Sequence, residues 1–85
     1  MKPKSIDEAQ RTGWIELTPK QLEALMKQHP DDLRRDFAAA VDCNTAPENT
    51  PCGGFGGALA ASIVCFCHNG LCKCFADANL TVPSP

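Results

Sequence analysis

Within ten residues, Cys65-Phe-Cys67-His-Asn-Gly-Leu-Cys72-Lys-Cys74, four cysteines flank an Asn-Gly pair. This spacing restricts the C-terminal half of the chain to very few shapes. Asn-Gly is the strongest short hairpin signal, because a type I′ turn needs positive φ at both central residues. With Asn69-Gly70 at the turn, His68 faces Leu71, Cys67 faces Cys72, Phe66 faces Lys73 and Cys65 faces Cys74. Side chains alternate along a strand, so all four sulfurs fall on one face, in two cross-strand pairs. Counting outward from a two-residue loop, 68/71 is a hydrogen-bonded pair, which leaves both cysteine pairs at non-hydrogen-bonded sites. There the Cα atoms lie about 4.5 Å apart, a separation that a disulfide accepts. Either two disulfides cross the hairpin or one metal ion takes four thiolates.

The 85 residues make at most one small domain, and a chain of this size buries only about 60% of its unfolded surface. Its two halves differ. Residues 1–42 hold seven of the eight basic and eight of the ten acidic residues but no cysteine, whereas residues 43–85 hold all six cysteines and five of the six glycines. The second half therefore reads as a stapled scaffold and the first as ordinary helix. A net charge of −2 offers no basic patch for nucleic acid. The longest apolar run, near residues 58–66, is far short of a membrane span. Cysteine density points to an oxidising compartment, while the first residues carry lysines without the apolar stretch of a secretory signal. Synthesis in the cytoplasm followed by export of the C-terminal part reconciles the two, and so does cytosolic metal binding.

Thr18-Pro19-Lys20-Gln21 starts a helix: Thr18 caps, Pro19 suits the first turn and Gln21 sits at the capping-box position. Leu22, Leu25 and Met26 line one face, with Ile15 and Leu17 leading in from a short extended piece at residues 13–17. His29-Pro30 ends the helix, since the residue before proline leaves the α region. Pro30-Asp31-Asp32 is expected to open a second helix with Leu33, Phe37, Ala40 and Val41 on its apolar face. Residues 42–57 form a loop by composition, bracketed in part by Cys43 and Cys52. Residues 58–66 switch to small and β-branched types and feed the hairpin, and residues 76–85 make a frayed tail.

The stretch VCFCHNGLCKCF resembles the cystine-ladder hairpins of protegrins and theta-defensins in its C-x-C-x4-C-x-C spacing. The resemblance implies that outer pairs with outer, Cys65 with Cys74, and inner with inner, Cys67 with Cys72; exclusion then leaves Cys43 with Cys52. Those peptides carry many arginines, whereas Lys73 is the one formal cation of this hairpin. The stretch also has a bland reading, in which it merely staples a small fold. The other alternative is a metallothionein-like protein holding zinc or copper through Cys65, Cys67, Cys72 and Cys74. Flat cross-strand pairs suit disulfides better than a shared ion, so no cofactor is expected.

The stretch WIELTPKQLEALMKQHPDDLRRDFAAAV is similar in style to leader regions in precursors of ribosomally synthesised, modified peptides, notably the helical nitrile-hydratase-type leaders. The resemblance implies that a modifying or export enzyme binds the N-terminal segment through Ile15, Leu17, Leu22, Leu25 and Met26. Gly53-Gly54 and Gly56-Gly57 match double-glycine processing sites, with cleavage after Gly54 or Gly57; the plain reading is that these glycines let the chain turn. Lanthionine rings are disfavoured, because only Ser62, Thr81 and Ser84 follow residue 57. No Cys/His/Asp arrangement for nucleophilic catalysis and no C-x-x-C motif emerges, so an enzyme is not expected.

The expected architecture is small α+β: a helical leader-like segment at 1–42, a Gly/Pro/Asn-rich loop at 43–57 and a disulfide-laddered hairpin at 58–85. The expected role is that of a bacteriocin-like peptide precursor whose activity lies in the C-terminal segment, with the target-cell envelope as a partner.

Overall fold

A computed structural model describes residues 2–35 and 41–84. The described residues are α+β, with two α-helices, antiparallel strands and three disulfides. In chain order the elements are α1 (Ile6–Arg11), β1 (Ile15–Leu17), α2 (Pro19–Gln28), β2 (Arg34–Arg35), β3 (Phe55–Gly56), a 3-10 helix (Ala58–Ser62), β4 (Ile63–His68) and β5 (Leu71–Ala76). The main sheet has the order β1-β5-β4, and β2 and β3 form a separate pair.

The hairpin register is the one that the turn dictates. Asn69 and Gly70 have φ of 51° and 79°, and the Cα partners are 68/71, 67/72, 66/73 and 65/74. On the far side β1 pairs with β5, with Ile15 opposite Ala76 and Leu17 opposite Cys74. β5 is therefore the central strand, and alternation gives the sheet two faces. Leu17, Ile63, Cys65, Cys67, Cys74 and Ala76 belong to one cluster with Leu22, Leu25 and Leu33. Val64, Phe66 and Phe75 belong to the other, with Ala9, Ile6 and Trp14. The sheet is thus covered by α2 on its sulfur face and by α1 on its aromatic face. Full burial of Phe75 and Leu25 contributes about 1.5–3 kcal/mol each.

Both helices begin at a side-chain cap. Thr18 and Gln21 make a reciprocal capping box, and Pro19 occupies the first turn. The helix ends at Gln28 with His29 as its cap, just before Pro30. Sequence reading missed α1, where the Ser5 hydroxyl accepts from the Glu8 N–H at 3.1 Å. The signal was present: Ser5 followed three residues later by Glu8 is the pattern of a capping box.

The expected second helix does not open at Pro30. Residues 30–32 form a turn, and Leu33 enters the core at 1% exposure. Arg34 and Arg35 then pair with Gly56 and Phe55. Tertiary pairing overrides the helical period here: the Asp32 carbonyl accepts from Leu59 at 2.9 Å, and the Arg35 guanidinium lies 5.5 Å from the Phe55 ring centroid. Phe37 and Ala40, the middle of that expected helix, lie outside the described residues.

The tail is also better held than its composition suggested. Asp77 donates to the Ser62 carbonyl, the Gln21 side chain donates to the Pro83 carbonyl at 3.1 Å, and Leu80 and Val82 pack against the core.

Candidate functional site

All the cysteines converge on the sulfur face of the hairpin. Residues 49–52 run antiparallel along the outer edge of β4. The Asn49 N–H donates to the Cys67 carbonyl, Cys67 donates to Thr50, and Cys52 donates to Cys65, at 2.8, 2.9 and 3.0 Å. Pro51 sits opposite Phe66 as a single bridge, where its missing N–H costs nothing on an edge. This run brings Cys52 beside β4. Cys43 is set by a turn in which the Asp42 carboxylate accepts the Asn44 N–H and the Asp42 carbonyl accepts the Thr45 and Ala46 N–H groups.

The bonds formed are Cys43–Cys67, Cys52–Cys72 and Cys65–Cys74, with Cα separations of 5.2, 6.1 and 4.0 Å. No thiol is free. The outer rung of the expected ladder is therefore present. The inner rung is not: Cys67 and Cys72 do face each other, but each is bonded to the loop instead, and the expected Cys43–Cys52 closure is absent. The physical reason is the edge pairing of residues 49–52, which places Cys52 against the hairpin. Facing positions across two strands permit a disulfide but do not compel one when another sulfur is as near.

Five of the six cysteines are buried, from Cys67 at 1% to Cys43 and Cys52 at 9% exposure; Cys72 alone is exposed. The Sγ atoms of Cys43, Cys52 and Cys72 lie within 4.8 Å of one another, as do those of Cys65, Cys72 and Cys74. Cys72 belongs to both groups. The proposed metal set of Cys65, Cys67, Cys72 and Cys74 has every sulfur in a disulfide, so none offers a thiolate until the protein is reduced.

A polar contact locks the hairpin turn to the loop. Glu48 pairs with the His68 imidazole at Nδ1 through one carboxylate oxygen and accepts the Asn69 N–H through the other at 3.2 Å. The Asn69 amide nitrogen lies 3.2 Å from His68 Nε2, so the hydrogen-bond network assigns the Nδ1–H tautomer to the neutral ring. The hydrogen bond from His68, then that from Asn69, holds the Glu48 carboxyl below its ordinary value; desolvation opposes them, and the charge on His68 adds least.

The residues expected to bind a modifying or export enzyme are placed differently from one another. Leu17, Leu22 and Leu25 are buried at 6%, 7% and 0%, and Met26 packs at the margin of the same core. Ile15 is exposed at 45%. Of the two cleavage candidates, Gly54 is half-buried and Gly57 is exposed at the N-terminal cap of the 3-10 helix. A side chain at Gly57 would collide with the Asp32 backbone carbonyl, so this glycine has a structural reason to be there. Among the described residues, no helix is long and apolar enough to cross a membrane.

No protein-family model, curated protein or solved structure matches this chain.

Proposed function

We propose that the chain is a non-enzymatic, cysteine-stapled peptide of the bacteriocin-like kind, made in the cytoplasm and exported, and that it acts as one folded unit. The observation that supports this reading is the pairing. Two of the three disulfides join the loop at 43–57 to the hairpin, so a cut after Gly54 or Gly57 leaves the pieces covalently linked. The three disulfides also favour an oxidising destination. A modifying or export enzyme that reads Leu17, Leu22 and Leu25 meets them on the reduced chain, before they enter the core.

The test applies the purified, oxidised full chain to bacterial indicator strains and compares it with the reduced and alkylated chain. Growth inhibition by the oxidised form alone is the expected result. No inhibition across the panel, together with tight one-to-one zinc or copper binding by the reduced chain, would replace this reading with the metal-thiolate one. The clustering of four sulfurs around Cys72 is what supports that second reading.

A further inference from the structure

We propose that Cys72 is a thiol-exchange site, through which an external low-molecular-weight thiolate converts the protein to a second disulfide isomer. The inference goes beyond the proposed role and does not depend on the target.

Three observations carry it. Cys72 is the one exposed cysteine, so the Cys52–Cys72 bond is the one that an incoming thiolate can approach from solvent. Cys52 Sγ lies within 4.8 Å of Cys43 Sγ, although the two are not bonded to each other. Cys67, the partner of Cys43, stands directly opposite Cys72 in the hairpin register.

The steps balance. The external thiolate attacks Cys72 Sγ, forming a mixed disulfide and expelling Cys52 as the thiolate. The Cys52 thiolate attacks Cys43 Sγ, forming Cys43–Cys52 and expelling the Cys67 thiolate. The Cys67 thiolate attacks Cys72 Sγ across the hairpin, forming Cys67–Cys72 and returning the external thiolate. Three sulfur–sulfur bonds form and three break, and no electron is gained or lost. The external thiol is a catalyst, and Cys65–Cys74 takes no part.

The consequence is topological. In the resting pairing the loop and the hairpin are bonded to each other. In the second isomer each is closed on itself, and a chain cut after Gly57 comes apart without any reduction.

The experiment treats the oxidised full-length protein with substoichiometric reduced glutathione without air, quenches with acid at intervals, alkylates, and maps disulfides by mass spectrometry. Glutathione should appear on Cys72, with Cys52 alkylated, before it appears on any other cysteine. Peptides bearing 43–52 and 67–72 should follow, while 65–74 persists. Glutathione appearing first on another cysteine would overturn the entry site. An adduct on Cys72 that never leads to 43–52 or 67–72 peptides would overturn the exchange path. A companion sample cut after Phe55 reads the same event by non-reducing electrophoresis: one band should become two on adding glutathione, and a band that stays single counts against the isomer.

Discussion

Cys67 and Cys72 are Cα partners across the β4–β5 hairpin, yet neither is bonded to the other. Each reaches instead to a cysteine in the preceding loop, so the hairpin serves as the anchor for a segment that has little regular structure of its own.

The value of each bond should therefore follow the length of chain it closes. Loop-closure entropy gives about 3.5 kcal/mol for Cys43–Cys67 and about 3.3 kcal/mol for Cys52–Cys72, whose sequence separations are 24 and 20. Cys65–Cys74, with a separation of 9, gives about 2.7 kcal/mol. Paired Cys→Ala replacements measured by urea unfolding should rank in that order. A larger loss from removing Cys65–Cys74 than from removing Cys43–Cys67 would show that the loop is held by packing rather than by sulfur.

Leu25→Ala should destabilise the protein by about 2–5 kcal/mol, since Leu25 is fully buried between α2 and the sulfur face. Ile15→Ala, at a side chain 45% exposed, should cost less than about 1 kcal/mol. Equal, small losses at both positions would mean that α2 does not dock on the sheet. Chemical denaturation monitored through Trp14 reads both variants.

Acid should release the loop from the hairpin turn. Glu48 has a folded-state value held below the ordinary 4.5. A depressed carboxyl contributes stability that is full above the unfolded value and is lost as the pH falls through the folded one. The contact should thus persist at neutral pH and fade as the pH drops below about 4.5. Carbon-detected NMR titration should give Glu48 a midpoint below the ordinary 4.5, and Glu48→Gln should flatten the acid limb of a Tm-against-pH curve. An ordinary midpoint for Glu48 would remove the contact as a stabiliser.

Gly57→Ala should cost about 1–3 kcal/mol or more, because Gly57 has φ of 104° and its added carbon would meet the Asp32 carbonyl. That carbonyl also accepts from Leu59, so the clash and a lost hydrogen bond coincide. Gly56→Ala meets open space and should be nearly neutral. If the two variants show the same melting temperature, the approach between Asp32 and Gly57 is looser than described.

What was legible in the sequence was local chemistry. Asn69-Gly70 set the turn and with it the register of β4 and β5, because positive φ at two successive residues leaves few options. Thr18, Pro19, Gln21 and Pro30 set both ends of α2 for equally local reasons. The disulfide partners of Cys67 and Cys72 were not legible, since they depend on residues 49–52 lying along β4, a pairing between segments with no shared pattern. The helix expected from Leu33 onward failed for the same reason: an i, i+4 spacing reads as helix until a distant strand, Phe55–Gly56, offers its own hydrogen bonds. The buried states of Leu17, Leu22 and Leu25 also followed from a partner, β5, that lies more than 45 residues further along the chain.

The route taken by the disulfides has a mechanical consequence. Tension applied at the two ends of the chain passes from Cys43 to Cys67 through one sulfur bridge and from Cys65 to Cys74 through another. Residues 44–64 and the Asn69-Gly70 turn lie outside that load path. Under pulling, β1 peels from β5 and α2 unwinds, while the stapled block keeps its length like a knot in a cord.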